Sequence, residues 1–297
     1  MSAPLNAPVT TPMVRGACPR LSAPMQTGDG LLARLVPAGP MAIDAFVALC
    51  AAARRHGNGV MEISARDSLQ VRGLTPISAP LFATEVEALD LDICGSVPVI
   101  SSPLPDDPSA SIDVHGLAAE LREAIAASQL ILAPKLSVIV DGGGHLHLDA
   151  LMADIRLRAV STADGPRLLV SVAGDANSAT PLGIVVLDEA THLVMRLISV
   201  IAAHSTDARA SHIDIDAFRS VAAERLAPPI ESNPRAPAET IGLRRLKDGA
   251  CAIGVALEFG QAHANDLMAL AGIAAVNGAT WVATAPDRTL LLGPIDE

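Results

Sequence analysis

The sequence predicts an α+β protein in which two copies of one strand–helix–strand unit, related by a pseudo-two-fold, flank a middle α/β domain. Three observations predict it. Residues 28–74 pass from alternating apolar positions to helical spacing and back to alternation. Residues 247–294 repeat that order with the same turn residues. The stretch between them carries strands and helices that do not follow the repeat.

Residues 1–27 are Pro-rich, with Pro4, Pro8 and Pro12, and are expected to form a flexible N-terminal segment. The absence of a basic start rules out a secretory signal as the reading of Met1–Met13. In the first unit, residues 28–74, Leu31, Ala33 and Leu35 alternate with Leu32, Arg34 and Val36 on a strand, and Pro37-Ala38-Gly39-Pro40 breaks it. From Met41 to Arg55, Phe46, Leu49, Cys50 and Ala53 share one helix face. Arg54, Arg55 and His56 suit the helix C-terminus, and Gly57 and Gly59 stop it. Val60–Ile63 and Leu69–Leu74 read as strand segments.

The middle domain is expected over residues 75–226. Val114–Ala127 has helical spacing, with Leu117, Leu121 and Ile125 on one stripe. Leu136–Val140, the turn Asp141-Gly142-Gly143-Gly144 and His145–Leu148 read as a hairpin. Leu157–Val160, Leu168–Val172 and Gly183–Leu187 add strands, and Thr191–Ala203 and Ile215–Leu226 add helices. Residues 227–241 read as a Pro-rich linker. The second unit, residues 242–297, aligns Asp248-Gly249 with Asp29-Gly30, Asn277-Gly278 with Gly57-Asn58-Gly59, and Thr284-Ala285-Pro286-Asp287 with Ser64-Ala65-Arg66-Asp67. Each unit has an edge strand to satisfy, so each is expected to find a partner in the other copy.

Composition narrows the function. Apolar residues make up 50 % and aromatics 2 %, with no Tyr, so the core must be aliphatic and few rings are available to stack on bases. A net charge of −11 argues against DNA or RNA. No apolar run is long enough to span a bilayer. Cys18, Cys50, Cys94 and Cys251 lie far apart, in no metal-ligand spacing, which points to a reducing, cytoplasmic setting. A polycarboxylate ligand stays compatible with the charge, provided cations gather locally.

Arg66 is the sharpest candidate for such a contact. It sits at a strand end beside Ser64, Ser68 and Gln70, and Arg72 follows at even spacing, compatible with one face. Two guanidinium groups on one face can hold carboxylates bidentately. A surface Arg66 paired with Glu62 or Asp67 reads equally well. Lys135 enters an apolar strand behind Pro134, either as a ligand cation or as a solvated strand-start lysine. His145 and His147 alternate on the hairpin, but two ligands complete no zinc or iron site and no third lies near in sequence. The Gly142-Gly143-Gly144 turn opens no helix, so it makes a weak anion site.

With these residues in view, Ser64–Gly73 resembles the [Ser/Thr]-x-Arg-x-x-x-Gln-x-x-Gly element of the nitrite and sulfite reductase superfamily. Residues 28–74 and 247–294 resemble its two ferredoxin-like half-domains, and Leu132–Leu136 with the glycine turn resembles its Pro-Arg-Lys-Phe-Lys strand, which implies a nitrite/sulfite-reductase-like middle domain. Arg15-Gly16-Ala17-Cys18-Pro19, with Gly28-Asp29-Gly30, is most similar to the precorrin-3B synthase family within it. That resemblance implies an O2-dependent monooxygenase converting precorrin-3A to the hydroxylated γ-lactone precorrin-3B in aerobic cobalamin synthesis. It implies a tetrapyrrole polycarboxylate substrate, a 4Fe–4S cluster, non-haem iron and an NADH-linked electron donor. Arg66, Gln70, Arg72 and Lys135 would contact the substrate, and no catalytic residue or metal ligand is assigned. The family's second lysine falls on Ser137, and its arginine before Ser102-Pro103-Leu104 falls near apolar Val97, so siroheme-based anion reduction is the weaker expectation. The cluster cysteines of the family would follow Glu297. The cluster is therefore expected on a partner chain, and a degenerate or split tetrapyrrole-binding subunit is the alternative.

Overall fold

The computed structural model describes residues 19–95, 97–233 and 235–295. Cys18 and the Arg15–Cys18 stretch lie outside the described residues. The first unit begins with β1 (Met25–Thr27) and β2 (Gly30–Leu35), paired through a tight turn at Asp29. β1 thus places the end of the segment expected to be flexible inside a sheet. β3 (Met41–Ala42) leads into α1 (Ile43–His56), whose Phe46, Leu49, Cys50 and Ala53 are buried as the spacing predicts. Gly57 ends the helix, and a Cβ there would meet the Arg72 carbonyl at 2.4 Å, so only glycine admits this crossing. β4 (Val60–Ile63) and β5 (Leu69–Leu74) form an antiparallel pair, with Ile63 opposite Leu69. The strand does not continue through 64–68. α2 (Ser78–Glu87) buries Ala79, Phe82 and Val86 in the same core as α1. α2 thus packs with the first unit, although residues from 75 on were expected in the middle domain.

The middle region contributes β6 (Val99–Ser101), α3 (His115–Ala127), β7 (Val138–Asp141), β8 (Ala153–Thr162), β9 (Gly165–Gly174), β10 (Thr180–Val185), α4 (Leu187–His204) and α5 (Ile215–Ala222). Its sheet runs β10-β9-β8-β7-β6, with β6–β7 and β7–β8 parallel and the other pairs antiparallel. The core joins Leu117, Leu121 and Ile125 of α3 to Leu193, Leu197 and Ile201 of α4 and to the sheet. The hairpin expected at Leu136–Leu148 does not form. β7 pairs on both sides with other strands, and residues 142–150 wrap back as a loop. The reason is polar capture: Asp141 Oδ2 accepts from Leu148 N at 2.9 Å, and Asp107 Oδ2 accepts from His145 N at 2.7 Å. Side-chain carboxylates thereby take amides that a hairpin ladder would have used.

The second unit comprises β11 (Gly242–Arg245), β12 (Cys251–Ala256), β13 (Gln261–His263), α6 (Ala264–Val276), β14 (Trp281–Ala285) and β15 (Thr289–Ile295). The two outer sheets run β1-β2-β5-β4-β13 and β11-β12-β15-β14-β3. Each copy therefore lends its short pre-helix strand to the other copy's sheet, as the edge-strand argument anticipates. Trp281 pairs with Ala42, and His263 with Val60. The helix starts repeat the exchange: Ile43 N donates to Thr280 O at 2.9 Å and Ala264 N to Gly59 O at 2.8 Å. Phe46 and Leu49 of α1 share one apolar cluster with Leu267 and Ala271 of α6 and with Val282 and Leu290. The architecture is α+β: two ferredoxin-like halves about a pseudo-two-fold, plus the middle α/β layer. Among the described residues no helix is long and apolar enough to cross a membrane.

Candidate functional site

Arg66 lies on the exposed crest of the β4–β5 turn, not on the strand, so the parity that would align it with Arg72 does not apply. The turn is closed by Ser64 N to Ser68 O at 2.9 Å and Asp67 N to Ser64 O at 3.2 Å, with Asp67 at φ 60. Beneath it, Ser64 Oγ and Ser68 Oγ are 2.7 Å apart, and Arg34 Nε donates to Ser68 Oγ at 3.0 Å. Arg34 sits on β2 opposite Gln70 of β5, which in turn faces Glu62 of β4. A polar row thus runs across the sheet directly behind the Arg66 turn. Neither partner weighed for Arg66 engages it: Glu62 binds Arg72, and the Asp67 carboxyl turns inward.

Arg72 is committed elsewhere. Its Nε and Nη2 grip Asp29 at 2.9 and 3.1 Å, and Nη1 reaches Glu62 at 3.1 Å. The Arg72 hydrogen bonds hold the Asp29 carboxyl well below the usual carboxylate range. The pair ties the β1–β2 turn to β5. Lys135 is exposed in the turn ahead of β7, not inside a strand, because β7 starts only at Val138.

Between the first unit and the middle sheet runs a groove of about 250 Å³, lined by Arg20, Arg34, Glu87, Cys94, Pro98 and Pro134. A second hollow of about 270 Å³ shares Arg20, Gly95 and Pro134 with it and adds apolar Val97, Ile125 and Leu130. Lys135 follows directly on the groove wall at Pro134, and the Arg66 turn is wired to Arg34 of the opposite wall. Arg20 and Arg34 thus line the groove together with one anion, Glu87, on a chain of net charge −11. An apolar floor with cations at its rim suits a flat, polycarboxylated molecule. Arg34 and Arg20 escaped the sequence argument. Arg34 was visible as a polar position in the β2 alternation, but nothing local marked its partner.

A second cluster lies at the end of β7 and in the loop that follows it. Asp141, His147 and Asp149 bring three ligand-type atoms within 4.8 Å of one another, so the fold supplies the carboxylates that the spacing of His145 and His147 alone did not. Arg235 already occupies them. Its Nε donates to Asp149 Oδ2 at 2.9 Å, and its Nη2 reaches Asp141 Oδ2 at 2.5 Å. Arg158 adds a further positive charge 3.6 Å from Asp149. Burial works hardest against the Asp149 anion, but the Arg235 hydrogen bond together with the charges of Arg235, Arg158 and His147 outweighs it and holds the carboxyl below its usual range. As folded, this donor set is neutralised by guanidinium groups and does not fit an iron ion. His145 stands apart, with Nδ1 3.1 Å from Asp107. The linker expected at 227–241 is thus anchored, with Arg158 also bonding Ser232 and Asn233.

The cysteines do not fit a cluster either. Cys50 is buried in α1 and Cys251 in β12, and the half-buried Cys94 borders the groove. Burial pushes the Cys50 thiol up to about 12, and it also raises Cys94. A 4Fe–4S cluster needs four converging thiolates, and the described residues do not supply them.

The sequence is 35% identical over 291 residues to the precorrin-3B synthase of Sinorhizobium sp, covering 97% of this chain and 63% of that protein. The chain is a homologue of a precorrin-3B synthase. It spans less than two thirds of that relative's length. The Mycobacterium tuberculosis NirA protein superposes with a TM-score of 0.72 at 21% identity, over 90% of this chain and 54% of the NirA chain. The fold is accordingly a nitrite/sulfite reductase fold. No family profile matches the sequence.

Proposed function

We propose that this chain binds a tetrapyrrole polycarboxylate and serves O2-dependent precorrin-3B synthesis, hydroxylating precorrin-3A and closing its γ-lactone on the route to cobalamin. The observation that carries the reading is the cation-rimmed, apolar-floored groove beside the Arg66 turn, found in a chain homologous to a precorrin-3B synthase. Arg66 supplies a guanidinium from the turn that Arg34 of the groove wall bonds, and Lys135 a second cation next to Pro134. Gln70 sits within the polar row that backs the turn. Arg72 acts one step removed, by fixing the sheet through Asp29. Arg66→Ala is expected to weaken binding of uroporphyrin, an octacarboxylate probe, by about tenfold, the loss of one charge-assisted contact. Unchanged affinity in a fluorescence titration would remove Arg66 from the site.

The dispersed cysteines favour a form of this reading in which the 4Fe–4S cluster and an NADH-linked electron donor are contributed from outside the described residues, in a cytoplasmic setting. Iron and sulfide analysis of the purified chain is expected to find no stoichiometric cluster; a full complement would sink that form. Siroheme-dependent anion reduction is less well supported, since Ser137 stands as a buried hydroxyl where a second lysine would hold the anion.

A further inference from the structure

Asp67 holds a carboxyl oxygen buried without a hydrogen-bond partner. It follows Arg66 in the turn and adopts φ 60, a left-handed conformation that Asp and Asn tolerate better than most residues. The turn backbone reaches solvent, yet the carboxyl points inward to a narrow cavity of about 20 Å³ where both half-domains meet the middle sheet. Its Oδ1 is fully buried and has no hydrogen-bond partner, and Thr284 of β14 lines the same cavity. Thr284 is the pseudo-two-fold counterpart of Ser64 in the same turn. Exact symmetry would give a matching Asp287 plug, but Asp287 shares the conformation (φ 59) and is exposed. So the costly buried carboxyl is kept in one copy alone, the copy that carries an arginine beside it; the other has Pro286. A buried carboxylate without a cation is strongly disfavoured, and the favourable alternative is the un-ionised acid.

We infer that Asp67 is a positioning residue which, as a neutral acid lodged against Thr284, locks the Arg66 turn onto the second half-domain and so presents the Arg66 guanidinium to the groove. The inference rests on the proposed role of Arg66. Few groups compete for control of the carboxyl. From its own turn come Ser64, Ser68 and the outward Arg66; from β14, Thr284; from the β6 segment, Ser101 and Ser102; from α3, His115; and Cys94 lies within electrostatic range. The loop 36–40 offers no charge. Burial raises the acid from its ordinary value to about 8. A folded-state value above the ordinary one means that the protonated acid favours the locked form. That preference is complete below the ordinary carboxylate range and is lost as pH rises through about 8.

The experiment uses the full chain, Asp67→Asn and Asp67→Ala between about pH 6 and pH 9. Asn keeps the size and the backbone conformation but has no carboxyl proton to lose. Wild type is expected to show an infrared band of a protonated carboxyl at neutral pH, absent from D67N. Hydrogen exchange at residues 64–68, corrected for intrinsic rate, should lose protection above about pH 8 in wild type, stay protected in D67N and be unprotected throughout in D67A. Uroporphyrin affinity of wild type should fall about tenfold per pH unit above that point, and that of D67N should not. A wild type lacking the band, or a D67N that keeps the inflection in exchange, overturns the inference. If uroporphyrin fails to bind or ignores Arg66, the functional reading falls, while the band and the exchange profile still decide whether Asp67 locks the turn.

Discussion

Arg235→Ala is expected to destabilise the protein by roughly 3–5 kcal/mol, the cost of stripping the partner from buried charge. Asp141 is fully buried and Asp149 nearly so, and the Arg235 guanidinium is the group that reaches both. Arg158 lies 3.6 Å from Asp149 and would compensate in part. The same ion cluster gives a pH dependence of known sign. The Asp149 carboxyl is held below its ordinary value in the folded state, so its stabilisation is present above that ordinary value and fades as pH falls through the lower, folded one. Urea denaturation of wild type and R235A at neutral pH measures the loss, and the difference between them should shrink on acidification. Adding Asp149→Asn to R235A should recover part of the stability, because it removes one of the stranded charges. A loss below about 1 kcal/mol would mean that water replaces the guanidinium, as at an exposed pair.

That arginine also marks the limit of what the sequence discloses. The repeat was legible because Asp29-Gly30, Asn58-Gly59 and their second-copy counterparts set turn geometry locally, and because α1 buries an unbroken stripe. The exchange of β3 and β13 was legible only as a need for edge partners, since strands of two and three residues carry no period of their own. Arg235 sat in a Pro-rich stretch that reads as linker, and its partners lie 86 and 94 residues away. The same long-range polar capture unmade the expected hairpin: alternation at His145–Leu148 was real, but Asp107 and Asp141 took its amides. For Arg66 the expected setting was wrong. Reading strand parity through 64–68 put it beside Arg72, whereas the turn separates the two and leaves Arg72 to Asp29. Asp67 carried no signal at all, because whether a carboxyl next to an exposed arginine is buried depends on a second copy more than two hundred residues later (Thr284).

The interleaving of the copies makes a second large effect predictable. Phe46→Ala should cost roughly 3–5 kcal/mol, as a fully buried aromatic replaced by a methyl leaves a cavity that a close-packed core closes only in part. Where the loss is felt is the more telling question. Phe46 belongs to the first copy's helix, but its apolar cluster includes Leu267, Ala271, Val282 and Leu290 of the second. β3, immediately before α1, is hydrogen-bonded to β14, and β13, immediately before α6, is bonded to β4. Neither half can therefore open without removing a strand from the other's sheet and a wall from its core. The two halves should unfold as one cooperative unit, and F46A should lower hydrogen-exchange protection in β14 and β15 by the same free energy as in β2, β4 and β5. If only the first sheet lost protection, the halves would be independent domains in contact. The Arg66 turn would then be held by its own sheet alone, and docking of Asp67 against Thr284 could not govern it.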